Sequence, residues 1–169
     1  MPTTHTTKTT KRKEMANLIA IDRACEPSSA PSDAQFSRWV TAALESNADP
    51  IELSIRLVDE IEGENLNQLY RGKSGATNVL SFPFDAVAPV ALPILGDLVI
   101  CEPVVIREAR EQKKSLDAHW AHMVVHGVLH LLGYDHINDL EADVMENLET
   151  KILLSLDYPA PYTASSKQS

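Results

Sequence analysis

No apolar run in this 169-residue sequence approaches the roughly 18 consecutive residues of a membrane-spanning helix, which argues against a transmembrane protein and for a globular chain. Cysteine is nearly missing: Cys25 and Cys101 are too few and too isolated for a disulfide framework or a cysteine zinc cluster, and a reducing, cytoplasmic setting is the simplest expectation. No apolar segment follows Met1, so a conventional signal peptide is not expected. Aromatic residues are scarce, with 2 Trp, 4 Tyr and 3 Phe, so aliphatic side chains must make the core and a binder built on stacked bases is not indicated. Positive charge is also short, at 15 basic against 24 acidic residues and a formal net charge of -9.

The distribution of charge matters more than its sum. Residues 1–14 hold Lys8, Lys11, Arg12 and Lys13 against Glu14, leaving 11 of the 15 basic and 23 of the 24 acidic residues for the rest of the chain. Broad, phosphate-driven binding of nucleic acid is therefore unexpected, and a polyanionic partner must be met by a local basic patch. The length predicts one domain. The expected organisation is a disordered basic extension over 1–14, a single catalytic domain over 15–156 and a disordered tail over 157–169, with Met15 as an alternative start to Met1.

A first strand is expected at 18–22, and Asp33 is a candidate cap for a helix carrying Phe36, Trp39, Val40, Ala43 and Leu44. Ile51, Leu53, Ile55 and Leu57 alternate with Glu52, Ser54 and Arg56 as in a half-buried strand. Residues 58–70 read as a helix and Arg71–Ala76 as a flexible loop. Thr77–Phe84 reads as a strand that Pro83 pushes towards a sheet edge, and Ile94–Cys101 as another strand. Pro103 opens a helix to about Ser115, and two more helices are expected near 118–132 and 139–155, the last capped by Asp139 with Leu140, Val144, Leu148 and Ile152 as its core stripe. The fold class is α+β, or mixed α/β: a small mixed sheet of about four strands packed with about five helices.

Five of the six histidines lie between 119 and 136, around the stretch HMVVHGVLHLLGYDH. On a helix His126 and His130 stand one turn apart and about 40° apart around the axis, so both imidazoles can reach one ion. Gly133 can adopt the left-handed conformation that ends a helix, and two further residues suffice to swing His136 back towards the first pair. Neutral imidazole suits zinc, and three protein ligands leave a fourth position open, as in catalytic zinc sites. His122 stays open as a fourth ligand of a closed structural site or a group behind the site, and His119 is expected at the surface. Asp135 either orients an imidazole or caps the turn, and Asp97 is a group behind the ligands or a turn residue.

The ligand spacing is metzincin-like, with an active-site helix and an edge strand, but zinc peptidases of the H-E-x-x-H type carry their general base directly after the first histidine. Here that position is Gly127, which disfavours a peptidase.

HGVLHLLGYDH at His126–His136 resembles the signature of the YbeY family of bacterial endoribonucleases, and YRGK at 70–73, TNVLSFPF at 77–84 and GDLVIC at 96–101 resemble the same family in order and spacing. Ser74 and Ala76 depart from it, where Asp and Pro are expected. The resemblance implies a metal-dependent, single-strand-specific endoribonuclease acting in ribosomal RNA processing, small-subunit maturation and ribosome quality control. It also implies one zinc ion per chain on His126, His130 and His136, with Arg71, His126 and His130 as the catalytic group. A guanidinium beside a phosphoryl-transfer transition state supplies a permanent, bidentate counter-charge, which gives Arg71 a physical rationale.

Lys73, Arg107 and Arg110 are candidate phosphate contacts alongside Arg71, the last two forming a basic helix end with Lys113 and Lys114. Asn78 and Ser81 are candidates to line the cleft, and the acidic helix after the histidines is expected to carry no chemistry. The partners implied by the resemblance are ribosomal RNA, the small ribosomal subunit, one of its proteins and an Era-type GTPase, without membrane or DNA. Two other readings remain: a ribosome-assembly binding protein whose zinc is structural, and a zinc hydrolase of another class such as a peptidase.

Overall fold

A computed structural model describes residues 17–24, 29–45, 50–84 and 94–162. Cys25 and the basic extension lie outside them. The described elements run β1 (Leu18–Arg23), α1 (Asp33–Ala43), β2 (Glu52–Val58), α2 (Glu60–Arg71), β3 (Val79–Pro83), β4 (Ile94–Cys101), α3 (Glu102–Glu111), α4 (Leu116–Leu131) and α5 (Asp139–Ser155). The fold is α+β. The sheet order is β1-β2-β4-β3, with β1, β2 and β4 parallel and β3 antiparallel to β4. β3 is thus an edge, where the missing N–H of Pro83 is tolerated.

Both faces of β4 are covered, which accounts for its nearly continuous apolar sequence. Leu98 and Ile100 join Leu53, Ile55 and Leu57 of β2 in the main core, against Phe36, Trp39 and Val40 of α1, the length of α4, and Met145 and Leu153 of α5. Val99 and Cys101 face the other way and pack with Leu80, Val104 and Leu66 of α2. The Cys101 thiol is buried, and burial pushes its pKa up. Helix α4 is the centre of the molecule, touching α1, α3, α5, β3 and β4.

Several expectations need correction. Ser32, not Asp33, caps α1: its side chain accepts from the Gln35 backbone N–H while the Gln35 side chain answers the Ser32 backbone, the reciprocal pairing of a capping box. Asn138, not Asp139, caps α5. The expected core stripe of α5 holds in its second half only: Ile152 is buried and Leu148 packs against the core, beside buried Met145, Glu149 and Leu153, whereas Leu140 and Val144 are exposed. Arg71 is the last residue of a helix rather than part of a loop. His119 is buried, at 2% exposure, with Nε2 3.0 Å from Glu108 Oε1.

The start of the expected tail is also structured. Pro161 is buried, its carbonyl accepts from Lys114 Nζ at 2.9 Å, and the Tyr162 hydroxyl donates to the Glu149 carboxylate.

Candidate metal centre and its cleft

Helix α4 carries His126 and His130 one turn apart on the flank nearest β3, and its tight contact with the sheet depends on Gly127. A Cβ at Gly127 would stand 2.8 Å from Leu98 Cδ2 and 3.2 Å from Val79 Cγ2, so only glycine lets the helix lie this close. Ser81 on β3 ties the edge strand to this point by donating to the Gly127 carbonyl at 3.2 Å. The position that would hold a peptidase's glutamate is thus filled by the sheet.

The helix ends in a Schellman motif. Gly133 has φ +102°, its N–H bonds the His130 carbonyl at 3.0 Å, and the Tyr134 N–H bonds the Leu129 carbonyl at 3.0 Å. Asp135 Oδ1 then accepts the His136 backbone N–H at 2.7 Å, so it fixes the turn that returns His136 to the helix.

The His126 and His130 Nε2 atoms stand 3.1 Å apart, and the His136 ring centroid lies 5.1 Å from that of His130 and 5.7 Å from that of His126. One donor atom from each ring falls within 4.8 Å of the others, so the three could hold a metal ion. The fit is good: nitrogens at about 2.0–2.1 Å from a tetrahedral ion stand roughly 3.3 Å apart. His126 and His130 are half-buried and His136 is exposed. Burial, with His126 and His136 nearby, holds His130 below the ordinary histidine pKa, favouring the neutral form that binds metal.

These imidazoles line a cleft of about 750 Å³ together with Arg71, Thr77, Asn78, Ser81 and Tyr134. Arg71 is brought there by the left-handed Gly72 that stops α2, and among the described residues it has no ion-pair partner. The size suits a small ligand or a short segment of a polymer. Lys73 and Arg110 are exposed but do not line the cleft, and Arg107 pairs with Glu60 at 2.5 Å, so its charge is already answered. Asp97 is on the opposite face of the sheet, where it accepts from Ser54, and does not reach the histidines. Lys114 is turned to the Pro161 carbonyl and is likewise withdrawn from the expected basic patch.

Sequence reasoning missed Glu149. From α5 its carboxylate, with no exposed surface, lies 2.6 Å from His126 Nδ1 and 2.8 Å from His122 Nε2. His122 therefore faces Glu149 rather than the three-histidine cluster. Burial alone would raise the Glu149 pKa, but its bonds with His122 and His126 outweigh burial and bring it down to about 2. Burial keeps His122 below its ordinary value despite that carboxylate, so a neutral imidazole faces a charged Glu149. The only available signal was an acid sharing a helix face with Met145, Ile152 and Leu153.

A solution structure of TM1509 from Thermotoga maritima is similar to this chain at 25% identity and a TM-score of 0.57, covering 87% of this chain and 97% of that one. The family model described as endoribonuclease YbeY matches residues 22–157, a span holding Arg71, the three clustered histidines and Glu149. With most of its length inside that match, the chain belongs to the YbeY endoribonuclease family.

Proposed function

We propose that this protein is a zinc-dependent, single-strand-specific endoribonuclease of ribosomal RNA processing, small-subunit maturation and ribosome quality control. One observation carries the reading: three convergent imidazoles and an arginine with no ion-pair partner among the described residues open onto the same cleft. In this reading His126, His130 and His136 hold one zinc ion in the single domain. Bound zinc supplies a Lewis acid beside the scissile phosphate.

The protein's own groups do the rest. Arg71 sits at a helix end on the cleft, where its guanidinium meets the charge that grows on the nonbridging phosphate oxygens. Lys73 and Arg110 contact flanking phosphates. Asn78, just before the edge strand β3, and Ser81 on it run along the cleft wall, which favours an extended, single-stranded substrate. A small-subunit ribosomal protein and an Era-type GTPase are the docking partners that family membership favours, in the cytoplasm.

The peptidase reading lacks a base. The only carboxylate lining the cleft among the described residues is Asp135, which is engaged with the His136 backbone, and Glu149 is sealed behind His126. A purely structural metal fits an enclosed site better than this open one. Replacing His130 by Ala is expected to abolish both zinc retention, read by metal analysis, and cleavage of a single-stranded ribosomal RNA fragment. Undiminished cleavage by the metal-free variant would reject the scheme.

A further inference from the structure

We infer that Glu149 is a positioning residue that sets the tautomer of His126, and that Tyr162, beyond the family match, belongs to the metal centre by holding Glu149. The inference rests on the metal reading above and adds residues to it.

A carboxylate with no exposed surface, between two helices, is tolerated only where its oxygens are hydrogen-bonded. Glu149 Oε1 takes His126 Nδ1 at 2.6 Å, while Oε2 takes His122 Nε2 at 2.8 Å and the Tyr162 hydroxyl. His122, His126 and Glu149 also have the composition of a second metal site. The distances speak against that. Separations of 2.6 and 2.8 Å are those of charge-assisted hydrogen bonds, whereas two donors on a tetrahedral ion stand about 3.3 Å apart.

The consequence for His126 follows from its ring having one proton when neutral. A carboxylate accepts only, so the proton sits on Nδ1 and the lone pair is left on Nε2, the atom 3.1 Å from His130 Nε2. The same argument places the His122 proton on Nε2. Tyr162 is held in turn: its ring lies edge-on to His122 at 5.3 Å between centroids, and the preceding Pro161 carbonyl takes Lys114 Nζ. The segment after α5 is thereby tied to the back of the histidine cluster.

The test uses full-length Glu149→Gln and Tyr162→Phe, the first keeping shape without charge and the second keeping the ring without its hydroxyl. Zinc affinity is measured by competition with a chromogenic chelator, and imidazole tautomers by nitrogen-15 NMR of metal-free protein. The expected result is Nδ1–H His126 in the wild type, a mixed or inverted tautomer in Glu149→Gln, and zinc affinity about 10-fold weaker there and several-fold weaker in Tyr162→Phe. A variant that is merely less stable would lower the thermal midpoint without moving the tautomer. An unchanged His126 tautomer together with unchanged zinc affinity overturns the inference and leaves the metal reading standing. A wild type that binds no zinc overturns the metal reading itself, while the tautomer measurement still decides what Glu149 does.

Discussion

At His122 and Glu149 burial penalises charge on both side chains, yet only the histidine yields to it, because the carboxylate collects hydrogen bonds from two imidazoles and a phenol. This has a sign in pH. The unfolded chain protonates His122 near pH 6.5 and the folded chain resists it, so that contribution is complete above about pH 6.5 and lost as pH falls. The Glu149 contribution is complete above pH 4.5 and lost as pH falls to about 2. Both act in one direction, His122 first and Glu149 below pH 4.5, so the thermal midpoint of metal-free protein is expected to fall steadily between pH 7 and pH 3, measured by circular dichroism. A flat or rising midpoint towards acid would contradict this pairing of a neutral His122 with a charged Glu149. Of these residues the sequence exposes only the histidines, because imidazoles at i and i+4 before a glycine form a local pattern. Glu149 shares its helix with Asp139, Glu141, Asp143 and Glu146, and only the packing of α5 on α4 separates it from them.

At the scale of elements, the site is a helix packed closely on strands β3 and β4 at Gly127. Substituting Ala for Gly127 gains helix propensity of about 1 kcal/mol but drives a methyl into Leu98, whose side chain is fully buried and cannot swing away. The balance is expected to be a net loss of about 1 kcal/mol in urea unfolding, together with weaker cleavage as α4 shifts against β3. Unchanged stability would mean that the contact is looser than it stands here. Strands β2, β3 and β4 and the helical second half are legible because alternation, Pro83 and Pro103 are local signals. The caps fall one residue from their expected places because Ser and Asn compete with the neighbouring Asp for the same role. The stripe of α5 is misread for a different reason: two apolar faces compete on that helix, and the sequence alone does not say that Ile137, Leu140 and Val144 stay exposed.

Across the whole molecule, a net charge of -9 leaves few cations for a polyanion, and the fold withdraws some of those. Arg107 is paired with Glu60, and Lys114 is held by the tail. Among the described residues Arg71 has no ion-pair partner, and it lines the three-histidine cleft, which the loop-like sequence around it does not reveal. RNA recognition by this chain therefore relies on local geometry rather than on a broad electrostatic field. The most direct measurement is cleavage of an end-labelled ribosomal RNA fragment with a single-stranded tail, comparing wild type with Arg71→Ala at matched zinc content and verified folding. The account predicts site-specific cutting by the wild type and a loss of about 10²–10³ in rate for the variant, as for removal of one charge-stabilising donor. Equal cutting by both proteins, or none by the zinc-loaded wild type, would contradict it.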